Sequence, residues 1–370
     1  MVFFRFSSFV LAVMLYGQLL YAQGNPKQRQ QLPDNIILLI GDGMSLAQIQ
    51  AGLTANFGSL NLLEFKHIGF SRTHSASNYV TDSGAGATAI ATGNKTYNGA
   101  ISVGVDSVPL KTILEYAEEK GLATGLVSTS AITHATPAAF IAHSTDRDDY
   151  EAIALDFLKT DVDVFIGGGK NHFTNRKDNR NLAAELAQKG YLVTFSMDTV
   201  RWTSSGKLAA LTVPEHNPGV VEGRDDMLPA SVNTALKIVS KNRKGFFLMV
   251  EGSQIDWGAH ANNTGYVAME VIDFDKAIGN ALTFAKTNGK TLVIVTADHE
   301  TGGMALTNGN FNEGKISATF STKSHTGLMV PVFAYGPGAE LFQGFQQNTD
   351  IFKKMMKLLQ LDLDRDVTDK

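Results

Sequence analysis

Apolar residues along the chain fall into short continuous runs, and several of these runs end in acids or histidines. The run at 35–40 leads into Gly41-Asp42-Gly43, that at 246–250 into Glu251, and that at 291–296 into Ala297-Asp298-His299-Glu300. Runs of five or six residues rich in Ile, Leu and Val read as strands buried on both faces of a parallel sheet. The whole pattern predicts strands at 35–40, 67–73, 122–128, 162–166, 191–195, 246–250, 291–296 and 330–335. Between them it predicts helices near 109–120, 148–159, 180–189, 229–241 and 264–287, with a last one at 348–360. Such alternation implies the α/β class, a three-layer α/β/α sandwich around a mostly parallel central sheet. The stretches 170–227 and 301–326 are rich in Asn, Gly, Thr and Lys. They read as surface excursions of a single domain, 34–370, because unpatterned segments of this kind seldom form domains of their own.

In open α/β sheets, ligands bind beyond the carboxyl ends of the strands, so acids and histidines there are placed for chemistry. The ten residues from Glu251 to His260 carry three potential metal ligands, Glu251, Asp256 and His260. The last two, four residues apart, share a face if the chain turns helically. One such segment alone is read equally well as a hydrated loop; three strand ends carrying carboxylates favour a metal centre.

Tyr79-Val80-Thr81-Asp82-Ser83-Gly84-Ala85-Gly86-Ala87 has the form of a loop feeding a helix of small residues. Ser83 at its start would meet free N–H groups and the positive end of the helix dipole, a setting that favours phosphate. Ser83 or Asp82 as a simple N-cap is the alternative. A serine hydroxyl needs activation to act as a nucleophile, and no Gly-x-Ser-x-Gly elbow is present, so a metal ion is the natural activator.

Composition narrows the chemistry. The chain has no cysteine, which excludes disulfides and thiolate metal sites and leaves His, Asp, Glu and hydroxyl oxygens as ligands. A formal net charge of −4 argues against nucleic acid as the main partner. Residues 1–22 combine Arg5 with an apolar stretch ending in Tyr21-Ala22, the pattern of a signal peptide, with 23–33 as a linker. The expectation is an exported protein, periplasmic or secreted, free of the membrane once the leader is removed.

Taken together, Gly41-Asp42-Gly43-Met44, Val80-Thr81-Asp82-Ser83, His134-Ala135-Thr136-Pro137, the Glu251 to His260 segment, Thr296-Ala297-Asp298-His299-Glu300 and His325-Thr326-Gly327 resemble the alkaline phosphatases over nearly the whole chain after the leader. The resemblance implies hydrolysis of phosphate monoesters through a phosphoserine on Ser83, in a monomer or homodimer acting on small molecules. It implies one zinc on Asp256, His260 and His325, and a second on Asp42, Asp298 and His299 beside Ser83. A third ion, usually magnesium, would take Asp42, Thr136 and Glu251, with His134 beside it. It further points to Arg147 as the group that grips the phosphate oxygens, with Asp82 orienting it; without the resemblance, Arg147 reads as a surface residue opening a helix.

Relatives differ near the third ion, and this chain carries His134 and Trp257 there. A nitrogen ligand in place of a carboxylate shifts such a site from magnesium towards zinc or cobalt. His67, His74, His143, His172 and His216 match no metal motif, and Glu300 is expected behind the ligands rather than among them. Only 25 residues separate His299 from His325, which suggests an open pocket and broad substrate range. The competing readings are a phosphodiesterase, mutase or sulfatase of the same fold, and a non-catalytic binding module. The latter predicts a lost nucleophile or arginine, whereas Ser83 and Arg147 are both present.

Overall fold

The computed structural model describes residues 32–361. The expected signal peptide and nearly all of the expected linker lie outside them. Its strands are β1 (Asn35–Gly41), β2 (His67–Arg72), β3 (Ala123–Ala131), β4 (Val164–Gly168), β5 (Tyr191–Thr194), β6 (Lys207–Leu211), β7 (Phe246–Gly252), β8 (Thr291–Thr296), β9 (Glu300–Thr301), β10 (Met304–Asn310), β11 (Lys315–Phe320), β12 (His325–Thr326), β13 (Val330–Tyr335) and β14 (Gly344–Gln347). Ten of them form one sheet in the order β14-β2-β13-β8-β1-β7-β3-β4-β6-β5. Only β13 runs against its neighbours, β2 and β8.

Why the central strands are apolar throughout is visible in β1. Ile36, Leu38 and Ile40 enter the core on one face of the sheet, and Ile37 and Leu39 enter the core on the other. Side chains alternate across a strand, so a strand covered on both faces must be apolar at every position. The first face is covered by the helices Ser83–Thr92, Ile113–Glu119 and Asn348–Leu358, the second by Leu46–Ala55, Met227–Val239 and Thr264–Asn288. This is the expected three-layer sandwich.

All eight expected strands are present, and the segment 170–227 departs from its description as a surface excursion. It supplies β5 and β6, which extend the sheet at one edge by parallel pairing. β5 is the strand expected at 191–195, whereas β6 is short and opens on Lys207, which dilutes its apolar signal. The segment 301–326 is a β10–β11 hairpin whose ends are clamped by the two-residue ladder of β9 and β12. No helix among the described residues is long and apolar enough to cross a membrane.

Candidate active site

Strand order decides what meets at the carboxyl edge of the sheet. β8, β1, β7 and β3 are consecutive neighbours, so the residues at or just beyond their carboxyl ends, Asp298-His299, Asp42, Glu251 and the His134–Thr136 turn, converge. β1 and β7 are in register, Ile40 facing Glu251, and the Asp42 N–H continues the ladder to the Gly252 carbonyl at 3.1 Å.

The convergent groups are buried and incompletely paired. Among the described residues, both carboxylate oxygens of Asp42, Oδ2 of Asp298, Oε1 of Glu251, Oγ1 of Thr136 and Nδ1 of His134 find no hydrogen-bond partner. One unpaired buried polar atom costs about 1–3 kcal/mol, so such atoms on residues whose ligand atoms converge call for a partner such as a metal ion. The opposite atoms of the same groups are firmly held. Glu251 Oε2 accepts from Ser128 Oγ and, at 2.7 Å, from Ser253 Oγ. Asp298 Oδ1 accepts from the N–H groups of Gly43 at 3.2 Å and His299 at 2.9 Å. Each carboxylate is thereby fixed with one oxygen turned inward, the arrangement that a metal site requires of the groups behind its ligands.

Asp42, Asp298 and His299 form one group that brings ligand atoms within 4.8 Å of one another; Asp42, His134 and Glu251 form another, and Asp256, His299 and His325 a third. His260 joins the third group, its Nε2 lying 3.2 Å from Asp256 Oδ2 and 3.1 Å from His325 Nε2. Asp256 and His260 lie on the helix Gln254–His260, four residues apart as the sequence suggested. The Nδ1 atoms of His260 and His325 face the Lys323 carbonyl at 2.6 Å and the Thr81 carbonyl at 3.0 Å. Donation to those carbonyls protonates Nδ1 and presents Nε2 as the ligand atom.

Electrostatics describe a crowded anionic site. Burial, then the charges of Asp298, Asp256 and Glu251, push Asp42 well above the ordinary carboxylate range. Burial raises Glu251 to about 7 and Asp298 to about 6. Burial pushes His299 and His325 down to about 4 and His134 to about 3, which keeps all three imidazoles neutral and able to ligate. His260, 38 % exposed in its side chain, is instead raised to about 8, chiefly by its hydrogen bond to Asp256. Neutral imidazoles beside carboxylates suit zinc, and an oxygen-rich set suits magnesium, so the residues fit the expected ions.

Ser83 opens the helix Ser83–Thr92, with Asp82 as N-cap accepting from the Ala85 N–H at 3.0 Å. Ser83 Oγ lies 3.2 Å from His299 Nε2, at the junction of the cap and the metal ligands. Glycines at 84 and 86 bring the helix this close. A Cβ at Gly86 would stand 3.1 Å from Asp298 Cβ, and one at Gly84 would stand 2.9 Å from the Ala100 carbonyl. Arg147 Nη1 donates to Asp82 Oδ2 at 2.9 Å. Burial opposes the Arg147 charge, but the Asp82 carboxylate outweighs it and raises the guanidinium pKa.

Glu300 lies behind the site. Its Oε1 accepts from Gln48 Nε2 at 2.9 Å and its Oε2 from Thr326 Oγ1 and the Gly303 N–H, so it binds β9 to β12. Sequence reading missed Thr301, whose Oγ1 donates to Asp256 and lies 3.2 Å from His299 Nδ1. His216, which the sequence leaves outside the metal motifs, accepts the Ala131 N–H at Nδ1 and packs edge-on against Trp257 and His134. No motif marks either residue, but Ser128 and Ser130 stand two apart on a strand, a same-face spacing that sequence reading could have used.

A family model described as Alkaline phosphatase matches residues 33–319 and 306–361. The chain belongs to the alkaline phosphatase family. Alkaline phosphatase 4 of Bacillus subtilis is 36 % identical over 88 % of both chains, and alkaline phosphatase of Escherichia coli is 33 % identical over 88 % of this chain and 86 % of its own. The alkaline phosphatase of the Antarctic bacterium TAB5 superposes with a TM-score of 0.84 at 43 % identity, covering 90 % of this chain and 99 % of that one. A histidine-to-aspartate mutant of the TAB5 enzyme with Mg bound in the M3 site superposes at 0.85. This alkaline phosphatase is accordingly a hydrolase of phosphate monoesters, with metal ions as cofactors.

Proposed function

We propose that Ser83 is the nucleophile and that the reaction passes through a phosphoserine at a centre of two zinc ions and a third ion. Asp256, His260 and His325 would hold one zinc, and Asp42, Asp298 and His299 the other. Asp42, Thr136 and Glu251 would hold the third ion, with His134 at its edge. The observation that carries this reading is the set of six buried atoms on Asp42, Asp298, Glu251, Thr136 and His134 without hydrogen-bond partners among the described residues, with Ser83 Oγ 3.2 Å from His299, which groups with Asp42 and Asp298. When bound, such ions supply Lewis-acid stabilisation of the attacking and leaving oxygens and activation of the incoming water.

The chain's own residues do the rest. Ser83 Oγ forms a bond to phosphorus as the bond to the alcohol oxygen breaks, and water then cleaves the Ser83 ester and restores the hydroxyl. Arg147, aimed by Asp82, binds two non-bridging oxygens of the phosphoryl group, for which its planar fork is suited. A diester offers fewer free anionic oxygens to that fork, which favours monoesters.

His134 supplies a nitrogen where magnesium prefers oxygen, and Trp257 packs on it edge-on at 6.1 Å between ring centres. This supports zinc or cobalt as alternatives to magnesium in the third position. The decisive experiment compares Ser83→Ala with the parent on a chromogenic monoester and a diester at alkaline pH, alongside metal analysis. The expected results are loss of monoester turnover and at least two zinc per chain. Undiminished turnover removes the phosphoserine step, and fewer than two zinc removes the two-zinc centre.

A further inference from the structure

A second cavity opens on the same edge of the sheet, two strands beyond the ligands that follow β8. Its volume is about 340 Å³, and Arg72, His74, Tyr79, Gly327, Leu328 and Met329 line it. Val330, which opens β13, faces Ser71 near the end of β2, so the cavity sits at the carboxyl end of β2. Neighbouring strands lie about 4.8 Å apart, which places the cavity roughly 10 Å from the end of β8.

Two segments join this cavity to the catalytic centre. One runs from Tyr79 through Thr81 to Ser83, and the other from His325 to Met329; His325 Nδ1 and the Thr81 carbonyl, 3.0 Å apart, tie them together. Tyr79 lies across Gly327, where any Cβ would come within 2.3 Å of the ring. The ring is nevertheless 81 % exposed, and Leu328 and Met329 are exposed beside it. Three largely apolar side chains in the open, on the segment that leads from the proposed zinc ligand His325 and on the one tied to it, require an explanation that core packing does not supply.

The far end of the cavity is basic. With the Gln347 amide turned to face it, the Arg72 guanidinium donates to that oxygen from Nη2 at 2.9 Å. Lys95 lies close by, donating to the His74 carbonyl, and burial together with the Arg72 charge lowers its pKa to about 8. An apolar wall, an aromatic face and the Arg72 guanidinium thus line one cavity beside the segment of His325.

We infer that this cavity is a leaving-group subsite for monoesters of aromatic alcohols carrying a second, anionic substituent, the ring resting on Tyr79 and the anion meeting Arg72. The inference rests on the phosphatase reading of the Ser83 centre, since it supplies the ester whose alcohol part enters the cavity. Neither Tyr79 nor Arg72 takes part in bond making; both act on which alcohol is held.

The test measures kcat/KM at constant ionic strength for phenyl phosphate, 4-carboxyphenyl phosphate and glycerol 2-phosphate. Tyr79→Ala is expected to lower both aryl esters about threefold or more relative to glycerol 2-phosphate, the size of an aromatic contact. Tyr79→Phe keeps the ring and is expected to match the parent. Arg72→Gln is expected to lower only the carboxylated ester, about two- to fivefold, with partial recovery in Arg72→Lys. Should Tyr79→Ala lose its fold, Tyr79→Leu replaces it, retaining bulk over Gly327 without an aromatic face. Parallel changes on all three substrates, or no change in the ratios, overturn the subsite. If Ser83→Ala retains full turnover while these ratios still shift, the nucleophile is misassigned and the subsite stands.

Discussion

Asp82 holds Arg147 and caps the helix of Ser83 with the same carboxylate: Oδ2 accepts from Arg147 Nη1 at 2.9 Å, and Oδ1 from the Ala85 N–H at 3.0 Å. The proposed phosphate-gripping group, Arg147, and the helix of the proposed nucleophile, Ser83, are thereby set by one side chain. Asp82→Asn keeps a capping oxygen but removes the charge that aims Arg147, whereas Asp82→Ala removes both. Inhibition by inorganic phosphate is expected to weaken several-fold in both variants. Thermal unfolding is expected to separate them, Asp82→Ala alone losing the roughly 1 kcal/mol of a helix cap. Equal phosphate inhibition in parent and variants would show that Arg147 does not depend on Asp82.

The small-residue helix makes a sharper prediction. Alanine in place of a helical glycine stabilises a helix by about 1 kcal/mol. At Gly86 the added Cβ meets Asp298 Cβ at 3.1 Å, so either the helix that presents Ser83 or the proposed metal ligand Asp298 must give by a few tenths of an ångström. Gly86→Ala is expected to lower kcat/KM at least about tenfold, the scale on which a small displacement of reacting groups is felt. The melting temperature should change little. Unaltered activity would mean that Asp298 yields without consequence.

Removing the metal ions should expose the cost of the anionic cluster. Without them Glu251 and Asp298 titrate at about 7 and about 6, above the ordinary carboxylate range, because they are buried. A folded-state pKa raised above the unfolded value means stability is present at low pH and lost as pH rises through the folded value. Buried His134, His299 and His325, held below the ordinary 6.5, cost stability as pH falls through that value, so the carboxylates are read above it. The chelated protein is expected to melt lower at pH 8.5 than at pH 7, while the metal-loaded protein shows the smaller difference. Calorimetry with and without chelator reads this directly, and an apo-protein equally stable at both pH values would refute it.

Far from the site, Glu118 offers an independent check of the same linkage. Burial first, then the charges of Asp161 and Asp163, raise its pKa to about 7 against hydrogen bonds from the Asp161 N–H and Thr124. Glu118→Gln removes the ionisation and is expected to raise the melting temperature at pH 8 by roughly 2 °C. The gain should vanish near pH 4, below the unfolded pKa, where the parent carboxyl is also neutral. A gain independent of pH would point to altered packing instead.

The ligands at the strand ends were legible because a strand covered on both faces must be apolar, which makes Asp42, Glu251 and Asp298 conspicuous where the runs stop. Asp256 and His260 were legible from helical spacing. Strand order was not, because the neighbours β8, β1 and β7 are distant in the chain and their pairing leaves no local mark. β6 and β14 lie at or near the sheet edges, where alternation is weak, and Phe345 in β14 is exposed. Thr301 and Ser253 were invisible for another reason. A hydroxyl behind a ligand has the same sequence signature as any loop serine or threonine, and only its aim distinguishes it.

The clamp of β9 on β12 has a practical meaning for building on this scaffold. Because Glu300 and Thr301 pair with Thr326 and His325, the hairpin between them leaves and re-enters the catalytic framework at one fixed point. Closing a longer loop between fixed ends costs only about 0.6 kcal/mol per doubling of its length. The exposed turn around Phe311 and Asn312 is therefore a place where a foreign domain can be grafted while the ligands on either side keep their positions.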